Sequence, residues 1–475
     1  MTFLVGGANS VSGYDIDNSC RFNDDDDAYL TVTGSSTTSS GKTSTLSVWV
    51  KRSKLGAEQY ILHARSADSQ GNFARLEFSG DDTLRLRGYS TTYLETDAEY
   101  IDPSAWYHIV LAIDTDTSGD GNSCRLYVNG SEVTSFSTDT NPSTDEDLVL
   151  GSDRAHYVGA SFYGGSAGAE FDGYMAELHF IDGQQLTHSS FGETDSGIWK
   201  PKQYSGSYGG NGFYLEFKAS GVGTAGASTI GADTSGNTNH LTSSGIAVVD
   251  QCTDSPTNNF ATMNPIDISS PSGAEALPTF SEGNCKLTRG NEASARSTIG
   301  LPESGKWYFE VKYLDGFTNG YPQIYLTVNN TGDGQGVGFH TPDGSNYRGK
   351  NGAAGTVNNA FDGSPANDDI LGFYVNMDDK ILIVHQNGSD FMGSGAASGI
   401  DFSSTTFATY TSGFFFVGYN SNASSSHSEE FNFGNPPFAI SSGNADARGY
   451  GNFEFDPTLG GVEYYAICTK NLAVS

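Results

Sequence analysis

What this 475-residue sequence lacks already excludes several classes of function. Cations are scarce: 24 Lys and Arg stand against 56 Asp and Glu, a formal net charge of −32. A nucleic-acid binder needs a cationic footprint for the phosphates, and adhesion to an anionic membrane needs a polybasic patch. Neither is present, so no nucleic-acid partner is expected. No stretch approaches the ~18 consecutive apolar residues of a spanning helix, so no membrane insertion is expected. The opening MTFLVGGANS puts no positive charge before its short apolar stretch, so a secretory signal peptide is not expected. The five cysteines (Cys20, Cys124, Cys252, Cys285, Cys468) are odd in number, far apart and without a C-x-x-C pair, which reads as buried thiols rather than a disulfide framework. Helical periodicity is almost absent, so no Rossmann or P-loop glycine motif has a helix to precede. A G-x-S-x-G nucleophile elbow is missing too.

What is there is glycine and aromatic rings. Gly accounts for 60 residues, and Phe (29) and Tyr (25) lift the aromatics to 12%, too many for a disordered chain. Rings on strands joined by Gly, Asn, Asp and Ser turns make an all-β composition. Runs of strand type recur throughout: LSVWV from Leu46, WYHIVLAID from Trp106, SCRLYVN from Ser123, FDGYMAELHF from Phe171 and GFYLEF from Gly212. Leu148–Leu150 and Ile246–Val249 read as further strands. Asn129-Gly130 is a two-residue hairpin signal. Residues 218–245 turn to small polar types and read as a long surface loop. The second half offers WYFEVKY from Trp307, QIYLTV from Gln323, the ILGFYVNM/KILIVH hairpin from Ile370, FFFVGY from Phe414 and EFNF from Glu430. No repeat of about 20–50 residues suggests a solenoid. The chain is expected to form two β-sandwiches of jelly-roll type in series, residues 1–255 and 256–475, divided near Ser255-Pro256.

The first half resembles the concanavalin A-like, laminin-G-like family through LSVWVK (46–51), Trp106-Tyr-His-Ile-Val110, Leu126-Tyr-Val-Asn-Gly130 and the closing Phe171-Asp-Gly-Tyr174 with Glu177. The second resembles an SPRY domain through GKWYFEV (305–311), Asn367-Asp-Asp-Ile-Leu-Gly372, Asn387-Gly388 and Asn432-Phe-Gly434 with Pro437-Phe438. GSYGGNGFYLEF (206–217), Asp233-Thr-Ser-Gly-Asn237, Asp254-Ser-Pro-Thr-Asn-Asn259 and AICTKNL (466–472) give the whole a likeness to virion proteins of tailed phages from marine hosts. That likeness implies a tail fibre or adhesin-type appendage on the particle exterior, homotrimeric, in contact with other virion proteins and binding a host-surface glycan or protein without catalysis. A capsid decoration protein and a polysaccharide-degrading enzyme are the alternatives.

Sugar binding on a sandwich uses exposed rings that stack on the sugar, with polar groups fixing hydroxyls. Tyr157 and Tyr163 in the first half, and Phe317, Tyr321, Tyr347 and Phe361 in the second, are the candidate contact residues. Glu170, Asp172 and Glu177 invite comparison with the paired carboxylates of a glycosidase. The odd offsets of Glu177 would put it on the opposite face of a regular strand, so a structural role is expected and the chain reads as no enzyme. No cofactor is required. Asp114, Asp116 and Asp120 space oxygens as a calcium loop does, but Arg125 stands where an EF-hand has its Glu, and a solvated hairpin tip is the plainer reading. A Ca2+ site there stays open, because laminin-G domains bind calcium at loop tips. The Asp24–Asp27 cluster is read as solvated. His108 is expected to be a core residue.

Overall fold

The computed structural model describes residues 13–37, 41–66, 73–116, 123–269, 277–289, 293–314, 322–327, 337–340, 348–351, 355–357, 360–362, 365–403, 415–420 and 427–473. They form two compact units, Ser10–Thr257 and Asn258–Ser475. Both are all-β, and the longest run of helix described is the single turn Thr469–Leu472.

The first unit is a pair of antiparallel sheets. The back sheet runs Ser131–Glu132, Cys124–Val128, Trp106–Asp114, Thr43–Arg52, Gly173–Asp182, Ser19–Phe22 and Gln251–Cys252. The front sheet runs Phe136–Asp139, Thr92–Glu99, Thr83–Gly88, Phe73–Phe78, Gln59–Arg65, Ala155–Val158, Tyr29–Thr33 and Thr242–Ser244. Alternation decides what each strand buries. Val48, Val50, Ile109 and Leu111 of the back sheet meet Leu62, Leu76, Phe78, Leu84 and Leu86 of the front sheet in one apolar cluster. The stretch WYHIVLAID is a strand residue for residue, Trp106–Asp114.

Three expectations for this unit are corrected. Leu148–Leu150 is buried but is no strand, because Asp147 Oδ1 accepts the Val149 N–H at 2.7 Å and Val149 takes φ +67°. Ile246–Val249 is no strand either. Asp250 Oδ2 accepts the Ala247 N–H at 2.7 Å and closes a 3-10 turn over Val248–Asp250. Residues 218–245 are not simply a surface loop. Ile230 and Leu241 enter the core, and Thr242–Ser244 edges the front sheet. That stretch is tied by Asp233, which accepts the backbone N–H groups of Tyr214, Ser235 and Asn239 at 2.9, 2.9 and 2.7 Å.

The chain returns at the end of this unit to fasten the back sheet. Lys51 is 1% exposed and its ammonium meets Asp254 Oδ2 at 2.8 Å, while Trp106 Nε1–H donates to Asp254 Oδ1 at 3.2 Å. Thr257 Oγ1 accepts the Ile16 N–H and donates to the Ile16 carbonyl.

The second unit also pairs two antiparallel sheets. One runs Met263–Ser269, Ser294–Ser297, Phe415–Asn420, Pro322–Thr327, Val337–His340, Arg348–Asn351 and Gly355–Val357. The other runs Thr279–Ser281, Lys286–Arg289, His427–Asn432, Lys306–Tyr313, Ile370–Asn376, Ile381–Gln386 and Ser389–Asp390. Phe309, Val311, Phe373, Val375 and Phe431 fill the core against Ile324, Leu326 and Val337. On the far side of the second sheet, Tyr308 and Tyr374 are covered by Phe453, Tyr464 and Ala466 of the C-terminal segment.

Candidate functional site

The outward face of the front sheet of the first unit collects most of the chemistry. Strands that send Leu62, Ala64, Leu76, Leu84 and Leu86 inward must send the residues between them outward. Register then aligns those residues across the sheet. Arg87 lies opposite Arg75, Arg75 opposite His63, His63 opposite Tyr157, and Tyr157 opposite Thr31. A short hairpin, Ser161–Tyr163 with Ser166–Gly168, lays Phe162 on Tyr157 with ring centroids 5.2 Å apart and planes 2° from parallel. Tyr29 leans on both rings at 6.1 and 6.0 Å, and the Arg65 guanidinium lies 5.9 Å from the Phe162 centroid.

Below this row an ionic network fixes the arginines. The Glu77 carboxylate is fully buried and pairs with both Arg75 and Arg85, the latter at 2.5 Å. Glu58 spans the same two guanidinium groups at 3.5 and 2.8 Å. Burial raises the Glu77 carboxyl above its ordinary range, while the Arg75 and Arg85 charges pull it back. The Arg75 guanidinium also sits 4.3 Å from the Tyr60 ring centroid, a cation–π contact. Burial, then the Arg75 and Arg65 charges, push the His63 imidazole down to about 3, so it is neutral. Its Nδ1 is buried without a hydrogen-bond partner among the described residues. Arg87, half-buried, pairs with no carboxylate among the described residues.

The residues proposed from sequence are distributed unevenly. Tyr157 stands in the middle of this face, but one of its ring faces is covered by Phe162, which therefore becomes the outer ring. Tyr163, at the hairpin, is 60% exposed. Phe361 is not a surface ring: it is 5% exposed and packs in the second core, stacked on Phe391 at 5.4 Å and edge-on to Phe339. Phe317, Tyr321, Tyr347 and Asp120 lie outside the described residues. Asp114 accepts the Asp116 N–H at 3.0 Å, and Asp116 pairs with Lys42 at 3.4 Å. Among the described residues no three His, Cys, Asp or Glu side chains are grouped to hold a metal ion. In the Asp24–Asp27 cluster, expected to be solvated, Asp24 pairs with Lys54. The arginines and His63 were missed. ARLEF and LRLR carry the signal, charges at every second position between leucines, but only the register shows that they converge.

Two arrangements resemble catalytic sites and differ from them in decisive ways. The strand carrying Glu177 is not regular: Ala176 faces Trp49 and His179 faces Ser47, so one extra residue makes a bulge, with Glu177 at φ +48°. Glu177 accepts hydrogen bonds from the Tyr14 and Tyr214 hydroxyls at 3.0 and 2.6 Å, with His179 Nε2 at 3.4 Å. Asp172 is held elsewhere, raised by burial and then by Asp24. Among the described residues the two acids have no hydrogen-bond partner in common. The second arrangement is Ser47 Oγ, 2.9 Å from His108 Nε2, with Trp199 Nε1 3.0 Å from His108 Nδ1. An indole N–H can only donate, so Nδ1 accepts and the proton of the neutral ring is on Nε2. Nε2–H then donates to Ser47. The ring cannot take the proton of Ser47, and burial holds it neutral, at about 3. His108 is a buried structural residue, as expected.

Residues 24–190 match a laminin-G model described as the concanavalin A-like lectin/glucanases superfamily. This stretch is laminin-G-like. It contains the whole of the ring and arginine face. No curated protein matches the sequence. Among solved structures, a protein of Bacteroides ovatus assigned to carbohydrate binding is similar at 16% identity and TM-score 0.33, over 49% of this chain and 58% of that one; the chain thus spans just over half the length of that relative. Mouse laminin alpha1 domains LG4-5 are similar at 11% identity and TM-score 0.28, over 97% of this chain and 88% of that one. The SPRY domain of human HERC1 is similar at 11% identity and TM-score 0.27, over 36% of this chain and 96% of that one.

Proposed function

We propose that the first unit is a non-catalytic glycan-binding module, and that the chain serves as a tail-fibre or adhesin-type appendage of a tailed-phage virion. The observation that carries the glycan reading is the Phe162–Tyr157 ring pair beside a row of guanidinium, imidazole and hydroxyl groups on one sheet face. A pyranose offers an apolar face to a ring and hydroxyls to flanking polar groups, and this face supplies both. The laminin-G match over the same residues supports the reading. The virion setting is supported by the sequence likenesses at 206–217, 233–237, 254–259 and 466–472. Presented in several copies, as in the homotrimer of a fibre, each weak contact adds avidity at the host surface.

A glycan array with the purified chain tests the module. Binding is expected, and Phe162→Ala should weaken it about three- to tenfold, the range of one lost ring contact. Absence of binding to every glycan would remove the reading. Immunogold labelling of particles tests the setting: label on tail fibres supports it, and label confined to the shell favours a decoration protein.

A further inference from the structure

Resting on the glycan reading, we infer that the Arg87–Arg75–His63 row selects sugars that carry a carboxylate or sulfate group. Arg75 and Arg87 are directly opposed across neighbouring strands. Like charges in that position are destabilising, and the two Glu side chains nearby engage Arg75 and Arg85, leaving Arg87 without a carboxylate partner among the described residues. An anion lying across the two guanidinium groups would remove the repulsion and gain charge-assisted hydrogen bonds from planar, preorganised donors.

His63 points to a ligand independently. It is 5% exposed, it stands next to Arg75 in the same row, and its Nδ1 has no partner among the described residues. A buried polar atom left unmet costs free energy, and a turn of the ring that brings it to a hydroxyl or acid oxygen of a ligand would recover that cost. Arg75 is also held for this task. The Glu58–Glu77 network clamps Arg75 and Arg85, so little side-chain freedom is lost on binding.

Such selection would be local. With a net charge of −32 the chain as a whole repels a polyanion, so retention of one cannot come from general electrostatic attraction.

The test is an array of matched neutral, carboxylated and sulfated glycans probed with the full chain, with Arg87→Gln and Phe162→Ala, each checked for native folding by circular dichroism. Signals are expected on acidic members, at least tenfold above their neutral counterparts. Arg87→Gln should lower them about tenfold, and Phe162→Ala should lower every signal. Signals as strong on neutral members, or acidic signals untouched by Arg87→Gln, would overturn the inference while leaving the glycan module standing. No signal on any glycan would overturn both.

Discussion

Single residues carry several of the constraints that hold the first unit together. Asn129 and Gly130 take φ +48° and +76°, the paired left-handed values of a tight hairpin turn. A Cβ on Gly130 would meet the Trp199 ring at 2.2 Å, so glycine is required for space as well as for φ. Gly130→Ala should cost roughly 1–3 kcal/mol by urea denaturation, the usual size of strain and overpacking. Lys51 and Asp254 give a larger effect. Asp254→Asn would leave a buried ammonium without its counter-charge, and about 3–5 kcal/mol of stability should be lost in the same assay. The Lys51–Asp254 pairing could not be read from sequence, because the two residues are far apart in the chain and their meeting depends on the return of residues 251–257. Phe361 and Phe162 make the same point. Both sit among small residues, yet one is core and the other a surface ring, because what decides is the strand behind them rather than the residues beside them.

At the scale of elements, local alternation was a good guide to strands and a poor guide to partners. The stretches from Trp106, Trp307, Ile370 and Lys380 fold as strands close to their sequence limits, since period-two patterning is a local property. Register is not local, and so the arginine row and the Glu177 bulge stayed hidden. The C-terminal segment of the second unit is another such case. Glu310, buried in the strand Lys306–Tyr313, accepts hydrogen bonds from the Tyr308 hydroxyl, the Asn432 amide and the backbone N–H groups of Glu454 and Phe455, at 3.0, 2.9, 3.1 and 2.8 Å. One carboxylate thus fastens residues 454–455 to the sheet. Burial raises its carboxyl to about 7, with the four donors opposing that rise. The folded chain therefore holds a proton there that the unfolded chain has released. The stability from this group is full below the unfolded value of 4.5 and declines as pH rises towards 7. Urea titrations at several pH values should show that decline in the wild type, by roughly 1–3 kcal/mol, and a flatter profile in Glu310→Gln.

For the molecule as a whole, charge sets the conditions of binding. A surface this acidic repels an acidic polysaccharide at long range, and that repulsion is screened over about 10 Å at 0.1 M salt. Contacts made by half-buried guanidinium groups are screened much less. Binding to an acidic glycan should therefore strengthen as salt rises from about 10 to about 150 mM, the reverse of a simple ion-exchange contact, and surface plasmon resonance over that range would show it. Proline and polar residues stand near 255 between two ring-rich halves, and the two compact units divide at Thr257 and Asn258. The outward faces were not legible in the sequence, because composition does not say which way a ring points.

The fastening of the back sheet by residues 254–257 has a practical corollary for anyone cutting this chain. The laminin-G match ends at 190, yet Phe213, Leu215, Ile230 and Leu241 belong to the same core, and Asp254, also beyond that end, neutralises Lys51 within the matched stretch. A recombinant fragment stopped at 190 would expose that core and orphan that lysine, so it should aggregate. One carried through Thr257 should remain soluble and monodisperse on gel filtration.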